Sequence, residues 1–142
     1  MYLNILVPVD LQDTQLTERA VQVAQDIAER YSATITVMTV IPDFGMPLVA
    51  NFFPADALDK AKKEVSAELE RFVSARFREP SQVRYRVTDG TPHKVIVDYA
   101  ESHDTDLIVL PARAKDIGKV FLGSSSTHVV ERAPCSVLIV RA

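Results

Sequence analysis

Five short apolar runs punctuate this chain, and each successive pair is separated by a stretch with helical period. The runs cover residues 3–9, 34–40, 83–87, 107–110 and 135–140. Between them, Leu16, Ala20, Val23, Ala24 and Ile27 fall on one helical face, behind Asp13 or Thr14 as a candidate cap. Leu58, Ala61, Val65, Leu69 and Phe72 form a second stripe. Thr91-Pro92 opens a third helix, with proline where a missing N–H costs nothing. A fourth helix is expected over residues 124–132. Strands alternating with helices leave few topologies. Right-handed crossovers then give an α/β fold: one open, doubly wound, five-stranded parallel sheet with four helices.

The strand patterns assign places in that sheet. Leu3-Asn4-Ile5-Leu6-Val7 is nearly all apolar, so it belongs at the centre, buried on both faces. Val83-Arg84-Tyr85-Arg86-Val87 alternates strictly and carries charge, which predicts an edge strand with one wet face. The run 135–140 is apolar and late in the chain. If it forms the other edge, Val137, Leu138, Ile139 and Val140 make a surface that a second copy would cover. Segment 41–54 holds Pro42, Pro47 and Pro54 beside Phe44, Met46, Phe52 and Phe53, and is read as an apolar loop.

Composition excludes several classes. The 142 residues suit one domain, 1–142, with its own core. A net charge of −3 argues against nucleic acid as a partner, because phosphate neutralisation needs a concentrated basic face. No apolar run reaches the ~18 residues of a membrane span, and no leader pattern is visible, so a cytoplasmic protein is expected. The single cysteine, Cys135, is read as a buried, inert thiol. His93, His103 and His128 form no ligand cluster, so no metal site is expected, and His93 and His128 are read as surface residues. Asp104 and Asp106 are read as a solvated turn, and Tyr31, Tyr85 and Tyr99 as packing residues.

Chemistry is expected at the carboxyl ends of the strands, where an open α/β sheet changes direction. Pro8-Val9-Asp10 closes the first strand, and Asp10 is placed either to meet a ligand hydroxyl or to cap its own loop. The fourth strand runs through Leu110 into Pro111-Ala112-Arg113-Ala114-Lys115, whose cations suit a phosphate. Gly123-Ser124-Ser125 then opens the fourth helix, offering free N–H groups and hydroxyls. No nucleophile–base pair is visible, so no catalytic residue is assigned.

Several of these segments together resemble the UspA family of universal stress proteins. They are Ile5-Leu6-Val7-Pro8-Val9-Asp10, Asp89-Gly90-Thr91-Pro92, Asp106-Leu107-Ile108-Val109, Leu122-Gly123-Ser124 and the stretch from Val130 to Leu138. The resemblance spans the whole chain. It implies strand order 3-2-1-4-5, a homodimer joined at the last strand, and an adenine nucleotide, ATP or a relative, with or without Mg²⁺. It also implies roles: Pro8, Val9 and Asp10 near the ribose and adenine, Val40 against adenine through its backbone, and Leu110 to Arg113 with Lys115 along the nucleotide. Gly123, Ser124 and Ser125 would hold phosphates. The family's ATP-binding motif is Gly-x-x-Gly, nine residues, then Gly-Ser or Gly-Thr. Here Pro111 and Ala114 replace the first two glycines, and eight residues separate Ala114 from Gly123. That departure resembles the branch of F and G type proteins. Two functions follow: a regulatory nucleotide-binding homodimer with slow or no hydrolysis, or a nucleotide-free dimeric interaction module.

Overall fold

A computed structural model describes residues 1–42, 56–112 and 123–141. Its five strands are β1 (Asn4–Pro8), β2 (Thr34–Pro42), β3 (Arg84–Gly90), β4 (Leu107–Ala112) and β5 (Ser136–Arg141). Its helices are α1 (Thr14–Tyr31), α2 (Ala57–Arg76), α3 (Pro92–Ser102) and α4 (Ser124–Arg132). The sheet is wholly parallel, in the order β3-β2-β1-β4-β5, as the sequence patterns and the resemblance imply.

Alternation along the strands divides the core in two. Ile5, Val7, Ile35, Val37 and Val109 point to the face covered by α1 and α2, through Ala20, Val21 and Ala24 and through Leu69, Phe72 and Val73. Leu6, Met38, Ile108 and Leu110 point to the face covered by α3 and α4, through Ile96, Ala100 and Val129. The two central strands each bury four consecutive residues, Ile5 to Pro8 in β1 and Leu107 to Leu110 in β4, which is why their runs lack alternation.

Local chemistry sets the helix ends. Helix α1 stops at Ser32, in the left-handed conformation at φ 54°, and both Ser32 and Ala33 N–H groups return to the Ala28 carbonyl. Asp13 sits at its start, although its side chain makes no capping hydrogen bond. The turn from β3 into α3 uses Gly90 at φ 130°, followed by Thr91 and Pro92.

Several sequence expectations need correction. Strand β4 does not end at Leu110 but runs through Pro111 to Ala112, paired with Val140 and Arg141 of β5. Proline is tolerated because β1 pairs with β4 only at Leu107 and Ile108, so Pro111 lies past the last β1 rung. Strand β3 opens exposed on both faces, and Tyr85 is 41% accessible rather than packed. Tyr31 is also exposed, meeting only Tyr2 edge-on among the described aromatic pairs, whereas Tyr99 is packed. Cys135 is half-buried; burial, and secondarily Asp106, pushes its thiol pKa up. Asp106 is no solvated turn residue: its two carboxylate oxygens accept the N–H groups of Leu3 (2.8 Å) and Asn4 (3.1 Å). Most of the apolar segment 41–54 lies outside the described residues; Ile41 and Pro42 complete β2.

Candidate nucleotide crevice

The strand register builds the site. Strand β1 holds β2 over its full length, and beyond it Val9 N–H donates to the Met38 carbonyl at 2.8 Å. The Thr39 hydroxyl returns the tie by donating to the Val9 carbonyl at 3.0 Å. Against β4, by contrast, β1 pairs only at Ile5–Leu107 and Leu6–Ile108. The two central strands are therefore paired over two rungs only, and at such a switch point an open α/β sheet leaves a crevice at the carboxyl ends. Their chains leave in opposite senses, to α1 on one face and α4 on the other.

The described residues that the sequence nominates lie as follows. Pro8 and Val9 are buried, and Leu110 and Ala112 are buried opposite them. Val40 and Pro111 are half-buried. Asp10 is exposed, and its Oδ1 accepts the Gln12 N–H at 2.9 Å, an Asx turn that fixes the carboxylate at the mouth. The loop-cap reading of Asp10 is thus correct and leaves its second oxygen unassigned. Arg113 and Lys115, together with Ala114, lie outside the described residues.

Helix α4 starts at the same edge. Gly123 is its first flanking residue, at φ 79°, a conformation glycine adopts without cost, and no side-chain hydrogen bond caps this terminus. The Thr127 hydroxyl and N–H both bond the Gly123 carbonyl, at 2.7 and 3.1 Å. His128 Nδ1 lies 2.7 Å from the Ser124 carbonyl, and since a carbonyl only accepts, Nδ1 carries the proton. These bonds take up carbonyls and leave the N–H groups of the first turn pointing outward beside exposed Ser124 and Ser125. That donor set fits an anion.

One arrangement escapes sequence reasoning. His93 and His128, read as separate surface residues, are both half-buried and stack ring on ring, centroids 4.4 Å apart and planes 20° from parallel. The stack joins the start of α3 to α4 at the carboxyl edge. Burial holds the His93 pKa below the usual imidazole value, helped by the positive charges of His128, Arg132 and Lys94. No spacing rule links positions in different helices, so only the fold reveals the pair.

At the opposite edge of the sheet lies a cavity of about 440 Å³ between α1 and the entry to β3. Arg78 closes it, binding Asp26 at 2.6 Å and Glu29 at 3.0 Å, while its N–H donates to Gln25. The hydrogen bond to Asp26 is the main reason its pKa is raised. This is a clasp between α1 and the segment after α2, on the edge away from the cleft.

Comparison with known proteins agrees with this geometry. The sequence profile of the Universal stress protein family matches residues 1–141. Universal stress protein G of Salmonella typhimurium is 28% identical over 144 residues, covering 99% of this chain and 100% of that protein. The solved structure of universal stress protein UspA from Lactobacillus plantarum is 30% identical with a TM-score of 0.70, over 99% of this chain and 98% of that one. A universal stress protein solved in complex with cAMP is 25% identical with a TM-score of 0.68, over 98% and 97% of the two chains.

Proposed function

The chain belongs to the universal stress protein family, and on that footing we propose that it binds an adenine nucleotide in the cleft between β1 and β4. The observation that carries this reading is the pairing of the central strands over two rungs only, with the uncapped start of α4 at the same edge. Phosphates would take the first-turn N–H groups and the hydroxyls of Ser124 and Ser125. Asp10, already oriented by Gln12, would accept from ribose hydroxyls. Val9 and Leu110 would supply apolar walls, with the Val40 backbone beside the base. Arg113 and Lys115 would add charge from the connecting segment. A related protein solved with cAMP supports an adenine nucleotide as the ligand class.

In this reading the role is regulatory. Asp10, the acidic side chain that the described residues bring to the mouth, is engaged in its own turn, which supports slow or no hydrolysis. The protein acts as a homodimer joined along β5, whose Val137, Leu138 and Ile139 are half-buried at the sheet margin. Among the described residues no helix is long and apolar enough to cross a membrane.

The test is extraction and calorimetry. The chain has no Trp and only 4 Tyr, so bound nucleotide dominates the near-ultraviolet absorbance of the purified protein. Titrations with ATP and with cAMP, with and without Mg²⁺, should yield binding. Gly123→Val, which denies the helix start its positive φ, should weaken it at least about tenfold, or ~1.4 kcal/mol, while circular dichroism stays native. No nucleotide in the preparation and no heat with either ligand refutes the reading in favour of the nucleotide-free interaction module, to which Pro111 and Ala114 in place of glycines lend support. Light scattering on the same sample checks the assembly: a monomer at micromolar concentration refutes the dimer.

A further inference from the structure

A second cavity of about 470 Å³, shallow and open to solvent, lies along the free edge of β3 on the α3 side. Its lining includes Thr36, Arg84, Tyr85, Arg86, Tyr99 and His103, and no acidic residue. Arg84 and Arg86 stand two apart on one strand, opposite Thr36 and Met38, so their side chains leave the same face about 7 Å apart. Among the described residues neither arginine has a carboxylate partner, although the chain as a whole is acidic.

Arg86 is also held in place. Its guanidinium lies over the Tyr99 ring, 5.3 Å from the centroid. The Tyr99 ring stacks on His103, centroids 3.9 Å apart and planes 10° from parallel. His103 Nδ1 lies 3.1 Å from the Tyr99 carbonyl and must donate to it, which leaves Nε2 of the neutral ring as an acceptor. That acceptor faces Arg86 Nη1 at 3.5 Å. The contacts orient the guanidinium and use one of its five N–H donors, leaving the rest of the fork for a ligand.

We propose that this cavity is an anion site, taking a small molecule with two oxyanion groups within about 7 Å of each other, as a diphosphate or a short dicarboxylate has. Arg86 supplies a preset bidentate donor, Arg84 a second charge, and the Tyr99–His103 stack the floor. Solubilising charge on an edge strand explains the presence of arginines there. It does not explain a cavity beside them or the anchoring of one.

The experiment uses inorganic pyrophosphate and succinate as probes, read by side-chain NMR of the full chain. The arginine Nε–H signals of Arg84 and Arg86 and the ring protons of Tyr99 should shift saturably with one or both probes. Half-saturation is expected below about 1 mM at about 0.15 M salt. Arg86→Gln and Arg84→Gln should each weaken the effect about tenfold, whereas Gly123→Val should leave it unchanged, which separates this site from the nucleotide cleft. Linear, unsaturable shifts, shifts abolished by the salt, or equal affinity in Arg86→Gln each overturn the proposal.

Discussion

Removing the Asp106 carboxylate tests how the central strands are held. Strand β1 meets β4 at two rungs only, and below them the pairing is continued by a side chain. Asp106 accepts the N–H groups of Leu3 and Asn4, while its own N–H donates to the Asn4 carbonyl at 3.0 Å. A hydrogen bond to a charged group contributes about 1.5–3 kcal/mol net. Both donors are near the surface, so water recovers part of each bond when the acceptor leaves. Asp106→Ala should therefore cost about 2–3 kcal/mol. At roughly 2.1 cal/mol/K per residue, a chain of this length unfolds with an entropy near 0.3 kcal/mol/K, and the loss lowers Tm by about 8 °C. Asp106→Asn should fall between, at roughly 4–5 °C, because an amide has one acceptor and turns its NH₂ towards the second donor. Calorimetry gives both values, and hydrogen exchange should show both the Leu3 and Asn4 amides unprotected in Asp106→Ala but only one of them in Asp106→Asn. The Cys135 thiol pKa should fall part of the way back, since burial, its larger cause, persists. A Tm loss below about 2 °C for Asp106→Ala, or an Asn variant as stable as the parent, refutes the two-acceptor strap.

Two further perturbations probe the carboxyl edge. At Gly90, φ is 130° and an added Cβ would sit 2.9 Å from Val95 Cγ2. Val is stiff at χ1 and the backbone region disfavours any other residue, so Gly90→Ala should cost about 2–4 kcal/mol in urea unfolding; a change within about 0.5 kcal/mol contradicts the argument. His93 has a folded pKa below its unfolded value, so the unfolded chain takes up a proton first as pH falls. Stability is then undiminished above about pH 6.5 and declines on acidification until the folded value is passed. His93→Gln should flatten that part of the profile in urea midpoints measured from neutral to mildly acidic pH, and an unchanged slope refutes it.

What could be seen in the sequence divides by range. The apolar run in β1, set against the alternating charges of β3, places one strand inside and the other at an edge, because burial on two faces or one is written in consecutive residues. The helix start at Gly123 is legible for the same reason. The role of Asp106 is not legible because its partners, Leu3 and Asn4, are about a hundred residues away, and a carboxylate before a strand looks identical whether water or another strand's backbone meets it. The His93–His128 stack and the grip of Arg86 on Tyr99 and His103 depend on helix docking, which periodicity does not specify. The apolar run ends at Leu110 in the sequence, yet β4 continues through Pro111, because β1 pairs with β4 only as far as Ile108 and leaves the proline free of that neighbour.

The position of Pro111 also changes the meaning of the missing glycines. Read as a loop residue, it is a rigid substitute where the phosphate site needs freedom. In the fold it is a strand residue opposite Val140, and a glycine there would weaken β4 by roughly 0.5–1 kcal/mol relative to alanine without opening the cleft. The cleft is opened by the register of β1 against β4, which does not involve residue 111. The anion donors at the start of α4 depend on Gly123, whose positive φ this chain keeps. Loss of the first glycine therefore removes one N–H and leaves the other two requirements, space and donors, in place. What the eroded motif puts at stake in the proposed site is the part expected of Arg113, Ala114 and Lys115, where a connection one residue shorter than the family motif would deliver charge instead of backbone N–H groups. Charge is less directional than a ring of amides, so such a site should discriminate less sharply among adenine nucleotides with different phosphate counts.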